Sequence, residues 1–225
     1  MQRFFACNTR IIWLCLFTLT CILLAISHGF FQNYLFMRPC EQCVYIRFAI
    51  FCIVFGTLLA SIFPCSHVIA FFAYAICFYG IALGIQSAIT LQHIHAMVLD
   101  GNPFIAASGC KKIPTFPFDL PLHVWFPQWF LPTGECGLDA PMLSKETFDS
   151  LSAIQQFFIH QYENGWWLIP KYQWMSMATF CLLYFILCIM ILCYLLLCLA
   201  RTKVIFAILY IAAILFVVFS LLFFG

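Results

Sequence analysis

Cys40 and Cys43, separated by two residues in the stretch Pro39-Cys40-Glu41-Gln42-Cys43-Val44-Tyr45-Ile46-Arg47, are where this chain could do chemistry. Such a pair can close a small disulfide ring or help hold one metal ion. If it opens a helix, the positive end of the backbone dipole favours the thiolate. Arg47 follows Cys43 by four residues, one helical turn along on the same face. A permanent cation just inside a membrane is costly and marks function, here beside a candidate thiolate. Cys110 and Cys136 add two further cysteines in polar sequence. Together these residue types point to thiol–disulfide exchange at a membrane surface.

The elements that must position them are apolar helices. The chain is 65% hydrophobic and 8% charged, with a mean hydropathy of +1.05, outside the soluble range. A net charge of +2 is too slight to suggest nucleic acid. Runs at about 11–30, 44–63, 68–91, 174–199 and 204–224 each reach the ~20 helical residues that cross about 30 Å of hydrocarbon. The expected architecture is therefore all-α and integral to the membrane, one domain over residues 1–225 with loops at about 31–43 and 92–173. The first run has Arg3 and Arg10 ahead of it and a weak Ala25-x-Ser27 cleavage pattern. It is long for a signal peptide and bulky residues follow, so it reads as a retained helix.

Charge orients these spans. Arg3, Arg10, Arg201 and Lys203 fall on one side, and all eight acids, Glu41 among them, fall on the other. The positive-inside rule puts the N-terminus in the cytoplasm and both cysteine-bearing loops outside. Of the fourteen cysteines, eight lie within apolar runs (15, 21, 52, 77, 181, 188, 193 and 198), where they read as small packing residues. Cys7 and Cys65 face the cytoplasm, and only Cys40, Cys43, Cys110 and Cys136 are outside. The simplest oxidised pairing of these four is Cys40–Cys43 with Cys110–Cys136, although four cysteines allow three connectivities. A Cys110–Cys136 bridge, 26 residues apart, could be a structural staple. A ring as small as Cys40–Cys43 constrains almost nothing, which favours exchange. A four-thiolate zinc site is the competing reading, but no second C-x-x-C surrounds Cys110 or Cys136.

The long loop has its own pattern. Ser144 is placed as an N-cap with Leu143 and Phe148 as a hydrophobic staple, and Leu151, Ile154 and Phe158 continue one apolar face. This reads as an amphipathic helix lying on the membrane surface. Trp166, Trp167 and Trp174 follow as an interfacial belt. Residues 113–132, dense in proline and aromatics, should form no regular helix and should rest on the bilayer surface.

Pro39-Cys40-x-x-Cys43 with Arg47 resembles the first outer loop of the DsbB family of membrane thiol:quinone oxidoreductases. Leu122-His123-Val124-Trp125-Phe126-Pro127-Gln128-Trp129-Phe130 and Thr133-Gly134-Glu135-Cys136 are similar to its second-loop segment, and Gly84-Ile85-Gln86 to its third span. The resemblance runs from about residue 39 to residue 136, with a looser match in the outer spans. The 143–167 insert and the run from residue 204 are departures that point to the DsbI branch of the family.

The resemblance implies a four-helix bundle, here with an added fifth C-terminal span, in the bacterial inner membrane with its redox loops in the periplasm. It implies reoxidation of a DsbA-like or DsbL-like thioredoxin-fold partner, captured in a mixed disulfide through Cys110, and transfer of the electrons to ubiquinone or menaquinone. In that scheme Cys136 turns on Cys40, Cys43 faces the quinone and Arg47 stabilises charge there. A narrow final substrate, an arylsulfate sulfotransferase, is the expectation for this branch. Leu91-Gln92-His93 resembles part of the quinone region, making His93 or His95 a candidate pocket residue. No metal site is expected. The competing enzyme class is a vitamin K epoxide reductase-like quinone reductase, whose C-x-x-C lies near a late span; here Cys181, Cys188, Cys193 and Cys198 lack that spacing. A stapled scaffold or zinc-holding receptor is the non-enzymatic alternative.

Overall fold

A computed structural model describes residues 2–64, 66–100, 110–134, 136, 140–163, 165, 167–200, 208, 211–212 and 215. Helix α1 (Gln2–Ala25) runs on into a π-helical segment (Ile26–Tyr34), followed by α2 (Glu41–Ile62) and α3 (His67–Leu99). The long loop carries a 3-10 turn (Pro117–Asp119) and four short helices: α4 (Leu122–Trp125), α5 (Pro127–Phe130), α6 (Lys145–Asp149) and α7 (Ala153–Gln161). Helix α8 (Met177–Ala200) closes the bundle. Four stretches among the described residues are long and apolar enough to cross a membrane: Thr9–Tyr34, Glu41–Ile62, His67–Leu99 and Met177–Cys198. The 204–224 expectation lies outside the described residues, apart from four isolated positions.

Helix α2 is central, with α1 and α3 packed on it and α8 on α3. Small residues make the α2–α3 contact close, as expected where lipid offers no hydrophobic drive between helices. A Cβ at Gly56 would lie 2.8 Å from the Ala73 carbonyl, and one at Gly80 would lie 2.7 Å from the Ala49 carbonyl. Polar groups inside the bundle are answered locally. Thr57 Oγ1 donates to the Ile53 carbonyl at 2.7 Å. Thr20 Oγ1 donates to the Leu16 carbonyl at 2.6 Å and pairs with the Tyr184 hydroxyl at 2.8 Å. Phe185, Ile53 and Leu192 are sealed in the core, while Ile22, Phe72 and Leu183 face outward to lipid.

Two sequence expectations are corrected. The third span does not stop near residue 91: α3 has 33 residues, about 50 Å at the helical rise, well beyond the hydrocarbon thickness. Its apolar pattern continues through Ile94, Met97, Val98 and Leu99, so His93 and His95 sit on helix rather than loop. The amphipathic stretch is also two helices rather than one. Ser144 caps α6 as expected, accepting the Thr147 N–H at 3.3 Å, and Leu143 and Phe148 join one apolar cluster. Ser152 then caps a second start by accepting the Gln155 N–H at 3.4 Å. Serines compete for backbone groups in this way and interrupt a helix. The proline-rich stretch, expected to form no regular helix, instead holds the 3-10 turn and the single-turn helices α4 and α5, because proline is tolerated in the first turn of a helix, as Pro127 is in α5. Of the tryptophan belt, Trp174 is exposed and Trp167 half-buried, while Trp166 lies outside the described residues.

Gly80→Leu should destabilise the bundle by about 3 kcal/mol through overpacking against α2. Thermal denaturation in detergent measures it, and an unchanged midpoint would mean that the close α2–α3 approach is dispensable.

Candidate redox site

The site is assembled around the start of α2. The chain leaves the π-helical segment, turns through Phe36 in a left-handed conformation (φ 56°), and reaches Cys40 extended. Along the way it is stitched to the long loop that follows α3. The Phe36 carbonyl accepts the Met142 N–H at 3.3 Å, and the Pro39 carbonyl accepts the N–H groups of Thr133 and Gly134, both at 3.0 Å. Gly134 is required by this approach, since a Cβ there would lie 2.5 Å from the Arg38 carbonyl. These contacts lie on either side of Cys136, which is buried in the same apolar cluster as Cys40.

Cys40 is itself the N-cap of α2, with φ −78° and ψ 171°. Its Sγ accepts the N–H of Cys43 at 3.3 Å. A sulfur in that position faces unsatisfied helix N–H groups, which favour negative charge on it.

Past the cap, α2 presents two functional faces. The first holds the Cys110 segment. Glu41 Oε2 accepts the Lys111 N–H at 2.6 Å, and the Tyr45 hydroxyl accepts the Thr115 N–H at 3.0 Å. Phe48 packs on Phe116 with ring centroids 5.2 Å apart. Positions 41, 45 and 48 are successive turns of one stripe. Cys110 and Cys136 are joined in a disulfide with Cα atoms 6.2 Å apart, so the bridge is fastened across the helix N-terminus from both ends.

The second face carries Cys43, Ile46, Arg47 and Ile50, which line a cavity of about 330 Å³. Phe30 and Phe31 of the π-helical segment, Leu91 of α3 and Phe180 of α8 face them. A π-helical turn widens the helix and often marks a functional position. Arg47 is only 4% exposed, so it does not snorkel to water. Its Nη1 donates to the Trp129 carbonyl at 3.0 Å, and the guanidinium lies 5.9 Å from the Trp129 ring centroid. Its buried Nε meets no acceptor among the described residues. Trp129 is held in turn by the π-helical segment. His28 stacks on it at 3.8 Å, and Gln32 Nε2 donates to the Gln128 carbonyl at 2.9 Å.

All five residues singled out in the sequence therefore meet at the first turns of α2. The histidines do not: neither His93, exposed on α3, nor His95, buried on it, is among the residues lining the cavity. Sequence reasoning missed Glu41, Trp129, Tyr162 and Cys181. Glu41 carried a signal, an acid in the first turn of an otherwise apolar helix, and is 4% exposed. Cys181 lines the same cavity as Cys43, yet nothing in its sequence separates it from the other cysteines of α8.

Four membrane-length helices among the described residues and a loop disulfide fastened over a C-x-x-C helix cap suit a multi-pass membrane disulfide oxidoreductase. The profile of the family described as "Disulfide bond formation protein DsbB" matches residues 9–195, and the chain belongs to that family. It is 47% identical over 189 residues to a DsbI protein of Campylobacter jejuni (strain RM1221), covering 80% of this chain and 71% of that one. It is 42% identical over 183 residues to the protein-disulfide oxidoreductase DsbI of Escherichia coli O1:K1 / APEC, covering 80% of this chain and 81% of the relative. The corresponding Salmonella typhimurium (strain LT2) protein is 43% identical over 183 residues, with 80% of each chain covered. No solved structure matches the chain.

Glu41→Ala should release the Lys111 contact, cost about 1–3 kcal/mol of loop docking and speed reduction of Cys110–Cys136 by dithiothreitol. Glu41→Gln keeps an acceptor oxygen and should stay near the parent rate. Equal rates for parent and alanine variant would remove Glu41 from this role.

Proposed function

We propose that this protein is a thiol:quinone oxidoreductase of the bacterial inner membrane that reoxidises a periplasmic DsbA-like or DsbL-like dithiol partner. The observation that carries the reading is the split of α2 into two faces, one fastening the Cys110–Cys136 disulfide and the other turning Cys43 and Arg47 into an apolar cavity. The N-terminus is cytoplasmic and the cysteine loops periplasmic, in keeping with the arginines and lysines at the span ends.

The exchange sequence follows from the order of the sulfurs. A partner thiolate attacks Cys110 Sγ, forming a mixed disulfide and releasing the Cys136 thiolate. Cys136 attacks Cys40 Sγ within a Cys40–Cys43 disulfide, and Cys43 leaves as a thiolate. The partner's second thiol resolves the mixed disulfide, so the partner departs oxidised and Cys110 is left as a thiolate. Cys110 then recloses on Cys136, releasing Cys40. Two electrons and two protons have moved from the partner dithiol to the Cys40–Cys43 pair.

The cavity suits a quinone. Its volume falls at the small end of ligand sites, its lining is mostly apolar, and the buried Arg47 Nε has a hydrogen bond to give. Ubiquinone or menaquinone would supply the terminal acceptor, taking two electrons and two protons. The chain's own part is to hold the Cys43 thiolate at the third helical position, beside a guanidinium fixed by Trp129. A zinc site built from all four outer thiolates is disfavoured because two of those sulfurs are joined to each other.

Arg47→Ala should lower quinone-dependent turnover by about 10²–10³-fold while partner capture persists; an unaltered apparent quinone affinity and turnover would remove the role. Cys110→Ser should abolish the mixed disulfide with a reduced thioredoxin-fold partner and leave Cys40 and Cys43 able to react with quinone. Labelling of Cys40 and Cys43 by a membrane-impermeant maleimide only from the cytoplasmic side would overturn the orientation.

A further inference from the structure

The cavity has an outer wall that the helical bundle does not supply. Of its lining residues, only Tyr162 and Leu168 come from the long loop; the others belong to α1 and its π-helical extension, the first outer loop, α2, α3 and α8. Both lie in the insert between Cys136 and α8.

This wall is built and anchored. Helix α7 is tied down by Gln155 Nε2, which donates to the Tyr34 carbonyl at 2.8 Å. Phe158 packs edge-on against Phe30, with centroids 5.9 Å apart, and Ile159 is buried with Leu35 and Met37. Tyr162 then ends α7 as its C-cap. Its ring meets Phe31 and Phe30 edge-on, at 5.8 and 6.3 Å between centroids. The chain reverses through Gly165, whose φ of 64° favours glycine and whose N–H is received by the Tyr162 carbonyl at 2.8 Å. This brings Leu168 back under the ring, where its carbonyl accepts the Tyr162 hydroxyl at 2.8 Å. Burial pushes the Tyr162 phenol above its ordinary pKa.

We infer that Tyr162, braced by Leu168, is a specificity-determining residue that closes the outer side of the electron-acceptor cavity and limits the size of the quinone headgroup admitted. The inference rests on the reading of this cavity as the quinone site. It follows from where the ring stands: an aromatic side chain this large occupies space that a second fused ring of an acceptor would otherwise take.

The test is equilibrium binding of two short-tailed probes to the purified full-length protein without partner, read by quenching of intrinsic tryptophan fluorescence. Ubiquinone-1 is the one-ring probe and menadione the two-ring probe. Tyr162→Ala should weaken ubiquinone-1 about tenfold and menadione by clearly less, because the second ring refills the vacated space. Leu168→Phe narrows the cavity from the same wall without removing the tyrosine, and should do the reverse, weakening menadione more. Tyr162→Phe keeps the ring and should bind both probes within about twofold of the parent. Dissociation constants that keep their parent ratio in both Tyr162→Ala and Leu168→Phe would overturn the inference, as would an unaltered ratio in Leu168→Phe alone if Tyr162→Ala does not fold. Parent protein that binds neither probe would instead overturn the quinone reading of the cavity.

Discussion

A buried guanidinium with too few partners is the constraint on which this structure turns. Arg47 is 4% exposed in an apolar helix, and desolvating a permanent cation costs several kcal/mol unless charge or hydrogen bonds offset it. Among the described residues one acceptor answers it, the Trp129 carbonyl of α5 in the long loop. To place that carbonyl, the long loop folds back onto α2, its tryptophan stacked on His28 and 5.9 Å from the guanidinium. Electrostatic need at one residue thus dictates where the loop carrying Cys136 must lie.

The same fold-back joins the two sulfur pairs. Backbone hydrogen bonds from Thr133 and Gly134 to the Pro39 carbonyl set the segment that leads to Cys136 against the residue preceding Cys40. On the other flank, Glu41 holds the residue after Cys110. A carboxylate buried one position from a reactive sulfur would be a liability in isolation. Here it accepts the Lys111 N–H and lies in the first turn of α2. Cys43, two residues further on, shares its face with Arg47 instead. One helix end therefore gives its two cysteines different electrostatic surroundings, a sound basis for giving them different tasks.

The membrane shapes the rest through close packing and local satisfaction of polar groups. Glycine and alanine between α2 and α3 bring the backbones together, and hydroxyls such as Thr57 and Thr20 spend their hydrogens on carbonyls of the preceding turn. The cavity persists where this packing gives way: the π-helical segment widens α1 and turns Phe30 and Phe31 across from α2.

Much of this was legible in the residues. Length and hydropathy placed the four described spans, because a membrane solvent leaves few ways to satisfy a backbone. The loop cysteines stood apart from those in apolar runs, and the C-x-x-C with Arg47 one turn on fell where the structure brings Cys40, Cys43, Arg47, Cys110 and Cys136 together. Ser144 announced a helix start through its own side chain. What the residues could not convey were contacts between segments far apart in the chain. That Arg47 is answered by a carbonyl 82 positions away, that Glu41 holds Lys111, and that Tyr162 closes a cavity opened by α2 all depend on how helices and loops pack. Local pattern reports what a segment wants to bury; which partner it buries against, and so which histidines stay away from the cavity, is decided only when the whole chain competes for the same space.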